Sequence, residues 1–161
     1  MTCLEKITVI RAPLERVFDL ARSVEVHLAG NVHWGETAVA EQGVTSGLQA
    51  LGDRVTWRAR HFGIRWKLAS EITAMERPGS FQDAMIRGPF GMMRHDHFFR
   101  AVGPNETEMR DVFCFAAPLG VLGAIGEAIV LRRYMRRLLV ERNAAIKSIA
   151  ESNQWRRYLA V

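Results

Sequence analysis

Three textures follow one another along the chain. Cys3 to Arg11 reads as a strand, with Leu4 near its start and the β-branched Ile7 and Val9 at its centre. Ala12-Pro13 ends it, and Pro13 suits the first turn of a helix. Leu14, Val17, Phe18 and Ala21 then fall at helical spacing. Ser23 is placed to cap a second short helix through His27, closed by Gly30-Asn31.

From Gly35 to Ala117 the period shortens to two. Val55, Trp57, Ala59 and His61 alternate with Arg54, Thr56, Arg58 and Arg60, so one face is mostly apolar and the other polar. A tight turn at Gly63 leads to Ile64, Trp66, Leu68, Ser70 and Ile72 on one face, with Arg65, Lys67 and Glu71 on the other. Phe81 to Arg87, Met93 to Val102 and Glu106 to Ala116 supply three further strands, punctuated by Gly88-Pro89 and Gly103-Pro104-Asn105. Connections this short predict an antiparallel meander. Between Ala124 and Ser152 the period returns to helical: Leu131, Met135, Leu138, Arg142, Ala145 and Ile149 trace one stripe. A helix of that length runs roughly 40 Å at 1.5 Å per residue, enough to lie across a whole sheet. The expectation is one α+β domain over residues 1–152, with 153–161 as a loosely held tail.

Composition adds three constraints. No apolar run reaches the ~20 residues of a membrane span. The first residues lack the basic and apolar segments of a signal peptide. Cys3 and Cys114, distant in sequence, provide neither a disulfide framework nor a cysteine zinc site, and both are expected as reduced thiols in a cytoplasmic protein. The net charge of +5 resides entirely from Glu127 onward, where eight basic residues meet three acidic ones. Arg132, Arg133, Arg136 and Arg137 form its densest patch. A solvated helix face is the first reading of that patch, transient docking on an anionic membrane the second. Nucleic acid is the third, disfavoured because stacking aromatics are sparse there apart from Tyr134, Trp155 and Tyr158.

A strand, two short helices, a run of antiparallel strands and one long terminal helix is the order of the helix-grip fold. The opening Ile10-Arg-Ala-Pro-Leu-Glu-Arg-Val-Phe18 resembles the start of START-related and Bet v 1-like (SRPBCC) proteins, in particular their polyketide cyclase/dehydrase and lipid-transport branch. Trp57-Arg-Ala-Arg-His-Phe-Gly63, Arg87-Gly-Pro-Phe90 and His95-Asp-His-Phe-Phe99 resemble a bacterial ligand-binding subgroup of that superfamily. The resemblance implies a curved sheet wrapped around the long helix, with a cavity between them. Alternation then assigns the lining: Trp57, Ala59 and His61; Ile64, Trp66, Leu68 and Ser70; Phe81, Asp83, Met85 and Arg87. Met93, His95, His97 and Phe99 follow, then Met109, Asp111, Phe113 and Phe115, with Met135 and Leu138 from the helix. The abundance of aromatic and methionine side chains suits an adaptable apolar interior.

The candidate chemistry gathers at His95-Asp-His97, two imidazoles on one strand face roughly 7 Å apart at their Cα atoms. With His61 and Asp111 on neighbouring strands a metal site is conceivable. No carboxylate follows at motif spacing, so polar lining is favoured and no metal or cofactor is expected. Asp83 and Arg87 share the predicted inner face and are expected to pair, since an unpaired buried charge is costly. The Gly88-Pro-Phe-Gly91 turn reads as a rim loop or a tight hairpin, and Gly120 to Gly126 as a hinge or linker before the helix. There is no nucleophile elbow and no phosphate loop.

The expected function is binding or carriage of a hydrophobic or amphipathic small molecule, of lipid, quinone, polyketide or isoprenoid class. The alternative is a cyclase/dehydratase-type enzyme in which His95 or His97 acts as base, Asp111 orients it and Arg87 stabilises an enolate oxygen. A third possibility is an interaction module acting through the basic helix.

Overall fold

The computed structural model describes residues 1–39, 41, 43–117 and 125–159. Strand β1 (Thr2–Ile10) is followed by helices α1 (Leu14–Ala21) and α2 (Val24–Gly30) and a 3-10 turn at Val32–Trp34. Strands β2 (Thr37–Val39), β3 (Arg54–His61), β4 (Ile64–Glu76), β5 (Ser80–Arg87), β6 (Met92–Gly103) and β7 (Glu106–Ala116) come next. Helix α3 (Ile125–Glu151) and a 3-10 turn at Asn153–Arg157 complete the order. The seven strands form one antiparallel sheet in the order β1-β7-β6-β5-β4-β3-β2. This is the expected helix-grip architecture. No helix among the described residues is long and apolar enough to cross a membrane.

Local chemistry explains the boundaries. Pro13, fixed at φ −61°, precedes α1 as its N-cap, and the Ser23 hydroxyl accepts from the Val26 N–H at 3.3 Å to start α2. The β3–β4 hairpin closes in two residues, Phe62 and Gly63, at φ 52° and 75°. Positive φ at both centres is the turn that matches the twist of paired strands. Phe62 is an unusual occupant, because a side chain in the left-handed region is strained.

Two cores flank the middle of the sheet. At one end Phe18, fully buried on α1, meets Phe81 and Phe99 edge-on at centroid distances of 5.6 and 5.2 Å. Replacing such a ring by alanine costs about 3–5 kcal/mol. The 3-10 turn joins this core: Trp155, Tyr158 and Leu159 pack against it, and the Arg16 guanidinium lies 4.1 Å above the Trp155 ring. The stretch expected as a loose tail is therefore docked as far as Leu159. At the other end Leu4, Met93, Phe113, Phe115 and Leu139 pack together. The inward face of α3 includes Leu139, Asn143 and Ile146 beside the predicted Arg142 and Ile149, so the buried stripe is rotated slightly from the one read in the sequence.

The cysteines require a correction. Cys3 and Cys114 are joined by a disulfide, with Cα atoms 4.1 Å apart. The cause is topological: β1 returns to pair with β7, and its register sets Cys3 directly opposite Cys114. Reduced thiols had supported the cytoplasmic expectation, and that support is withdrawn. The predicted hinge at Gly120 to Gly126 and the start of the helix at Ala124 lie largely outside the described residues.

Candidate functional site

The sheet, α3 and the segment around α2 enclose a cavity of about 970 Å³. Its walls are mainly apolar: Trp57 and Ala59 on β3, Trp66, Leu68 and Ile72 on β4, Met93 and Phe113 on β6 and β7. From α3 come Leu131, Met135, Leu138 and Leu139. Pro89 and Phe90 also line it, so the turn after β5 contributes to the wall. Trp57 is fixed twice, its indole N–H donating to Ser70 Oγ at 3.1 Å and its face stacked on His27 at 4.0 Å. A pre-formed pocket of this size and lining can take up a drug-sized molecule.

A buried cluster of histidines and carboxylates interrupts the apolar wall. Register places Asp83, His95 and Phe113 in one cross-strand row, and Phe81, His97 and Asp111 in the next. Two of the hydrogen bonds run diagonally between the rows and a third lies within one. His95 Nε2 donates to Asp111 Oδ1 at 2.9 Å, and His97 Nδ1 lies 3.0 Å from the same oxygen. His97 Nε2 lies 2.8 Å from Asp83 Oδ2, so both nitrogens of that ring face carboxylates. Asp111 sits behind the histidines with no exposed surface. Its Oδ1 also accepts from Arg142 at 3.3 Å and its Oδ2 from the Asn143 amide at 2.7 Å. The Arg142 charge is thus matched by a buried carboxylate, as a charge in such a place requires.

These surroundings bias the protons. Burial, reinforced by the neighbouring His97 charge, lowers the pKa of His95 to about 4 against the pull of Asp111 and Asp83. His95 is neutral at pH 7, and among the described residues only its Nε2 makes a hydrogen bond to protein. Burial raises the pKa of Asp111, but its bonds to His95 and His97 and the Arg142 charge outweigh this and hold it well below the usual carboxylate range. Asp83 follows the same balance: burial pushes it up, while the bond to His97 and the nearby positive charges bring it below its ordinary value.

The mouth of the cavity carries an aromatic group. Tyr134 on α3 hydrogen-bonds His61 Nδ1 at the end of β3. Phe62 lies 4.5 Å from the Tyr134 ring and Trp34 meets it edge-on at 5.2 Å. Burial lowers the pKa of His61 against the opposing charge of Glu36, and raises Tyr134 to about 12. The phenol therefore stays protonated and donates to a neutral imidazole.

Most of the predicted lining is in place: Trp57, His61, Trp66, Leu68, Phe81, Asp83, Met93, His95, His97, Phe113, Met135 and Leu138 all face the cavity. Seven predicted residues do not; of these, Met109 is packed in the first core and Phe115 in the second. Arg87 is exposed, and its expected pairing with Asp83 is absent. The reason is a bulge on β5: Met85 opposes Ser70 while Arg87 opposes Ala69, so Ile86 is extra and Arg87 turns outward. Met85 packs at the edge of the second core, and Phe99 belongs to the first. Asp111 stands behind the wall rather than in it. Ile64 is exposed at the hairpin tip. Sequence reasoning missed His27 on α2, Asn31, Glu36 and Gln49 from the irregular segment after it, and Tyr134 and Arg142 as wall residues. Arg142 stood on the predicted apolar stripe, an arginine among leucines and isoleucine, and that was the available signal.

Comparison with known proteins gives the fold. No family model and no curated protein matches the sequence. Solved structures do. A START superfamily protein from Mycobacterium smegmatis superposes with a TM-score of 0.70 at 12% identity, over 92% of this chain and 97% of that one. Ara h 8.0201 gives 0.67 at 12%, over 94% and 99%. The major latex-like protein 151 of Panax ginseng gives 0.65 at 13%, over 94% and 98%. The architecture is shared across nearly the full length of each.

Proposed function

We propose that the protein binds an amphipathic small molecule, its apolar body between sheet and α3 and its polar end at His95, His97 and Asp83. The observation that carries this reading is a cavity of about 970 Å³ whose mainly apolar wall holds the buried cluster of His95, His97 and Asp83. Burial of a hydrocarbon body contributes roughly 25 cal/mol per Å². A ligand without polar atoms would leave the cluster's free donors and acceptors facing apolar surface, which costs about 1–3 kcal/mol per group. A quinone, hydroxylated isoprenoid or polyketide therefore fits better than a plain hydrocarbon.

Native mass spectrometry of the purified protein, followed by titration with a short-chain ubiquinone, a fatty acid and an alkane of equal length, tests this. Quenching of Trp57 and Trp66 fluorescence reports binding. One saturable site preferring the quinone or acid is the expected result. Absence of saturable binding across all three probes overturns the reading.

A second reading, acid–base chemistry on the bound molecule, is favoured by His95: a neutral imidazole anchored through Nε2, leaving Nδ1 for a substrate proton. Transient contact with an anionic membrane through Arg132, Arg133, Arg136 and Arg137 is part of the carrier proposal, and all four side chains are exposed. Charge reversal at Arg133 and Arg137 that left vesicle association unchanged would remove it.

A further inference from the structure

We propose that Asp83, His95 and His97 form a site for one divalent first-row transition ion of the Zn²⁺ or Fe²⁺ class, with Asp111 as the orienting carboxylate behind it. One carboxylate oxygen and one ring nitrogen from each histidine lie within 4.8 Å of one another. The set read in the sequence joined His95 and His97 to His61 and Asp111; here the carboxylate is Asp83 on β5, directly opposite His95.

Three features make the cluster a site rather than a coincidence of polar lining. Metal-bound histidines hold their orientation by donating the remote ring N–H to a carboxylate. Here a single buried oxygen, Asp111 Oδ1, holds His95 Nε2 and His97 Nδ1 together, while His97 Nε2 faces the Asp83 carboxylate at 2.8 Å. Second, Asp111 is itself fixed by Arg142 and by the Asn143 amide, so the orienting group cannot swing away. Third, two nitrogens and one carboxylate oxygen is a borderline donor set that suits zinc or ferrous iron and leaves coordination positions open to the cavity.

The geometry requires little movement. An ion bonded at about 2.1 Å to each donor brings the donors to roughly 3.4 Å apart in a tetrahedral arrangement. Asp83 Oδ2 and His97 Nε2 are already 2.8 Å apart, and the Asp83 side chain retains 21% exposure with which to turn. The ion takes the place of the proton between them. The site does not depend on the ligand reading above, since the ion is tested without any organic molecule present.

Isothermal titration of the chelator-treated full-length protein with ZnCl₂ alone is the test. One equivalent per chain is expected. Asp83→Asn should weaken binding at least 100-fold, and Asp111→Asn about 10–100-fold through loss of orientation. His33→Gln, on an exposed side chain outside the cluster, should leave binding unchanged. Absence of stoichiometric binding overturns the site, as does binding that survives Asp83→Asn and disappears with His33→Gln. If His95→Gln fails to fold, Asp83→Asn decides alone, because that side chain is partly solvated. Failure here leaves the cavity and its proposed organic ligand untouched.

Discussion

Asp111 on β7 and Arg142 on α3 meet at 3.3 Å inside the protein, each almost fully shielded from water. Removing one partner leaves the other as an uncompensated buried charge. Arg142→Met is expected to lower stability by about 3–5 kcal/mol, read from urea unfolding. The double variant Arg142→Met, Asp111→Leu should recover part of that loss. A single-variant cost under ~1 kcal/mol would show that water reaches the pair.

Filling the cavity separates binding from folding. Ala59 lies on the wall, and a phenyl ring placed there projects into open volume. Ala59→Phe should leave the melting temperature within a few degrees of the parent, because no packed neighbour is displaced. Affinity for a long amphipathic ligand should drop at least 10-fold, about 1.4 kcal/mol. A large loss of stability would mean the cavity is closed in solution.

The Cys3–Cys114 bridge spans 111 residues. Closing a loop of that size limits the unfolded chain, and disulfides of this kind contribute about 2–5 kcal/mol. Thermal unfolding with and without a phosphine reductant should differ accordingly, and thiol titration of the native protein should find no free cysteine. The Cys3→Ser, Cys114→Ser variant should behave like the reduced protein.

Acid should loosen the cavity mouth. Burial depresses the pKa of His61 in the folded chain, so between the unfolded value of about 6.5 and the folded value the unfolded state binds more protons. The stabilising contribution is complete above pH 6.5 and is lost as pH falls through the folded value. Glu36 opposes the shift, while Tyr134, with Arg137 and Glu141 beside it, faces the ring from α3. Stability measured at pH 7 and pH 5 should differ less in His61→Gln than in the parent.

Much of this arrangement was legible in the residues. Alternation along β3 placed Trp57, Ala59 and His61 correctly, and the same period along β6 gave His95 and His97. Such readings succeed while a strand keeps its parity. They fail at bulges: one extra residue on β5 turned Arg87 outward, and a register shift between Ile72 and Ala74 on β4 brought Met75, not Ala74, to the core side. Partners set by topology were equally hidden. Nothing local to Cys3 announces Cys114, and nothing local to His97 announces Asp83, because strand order decides both. The irregular segment that contributes Glu36 and Gln49 has no period to read.

Among the described residues, the edge strand β1 pairs with one other strand, β7, the last of the sheet to be made. At synthesis rates of about 5–20 residues per second, Thr2–Ile10 waits roughly 5–20 s on the ribosome before its partner emerges. Through that interval it is an unpaired template with Ile7 and Val9 available to any neighbouring chain. The yield of folded protein therefore depends on keeping these nine residues single until the sheet is finished.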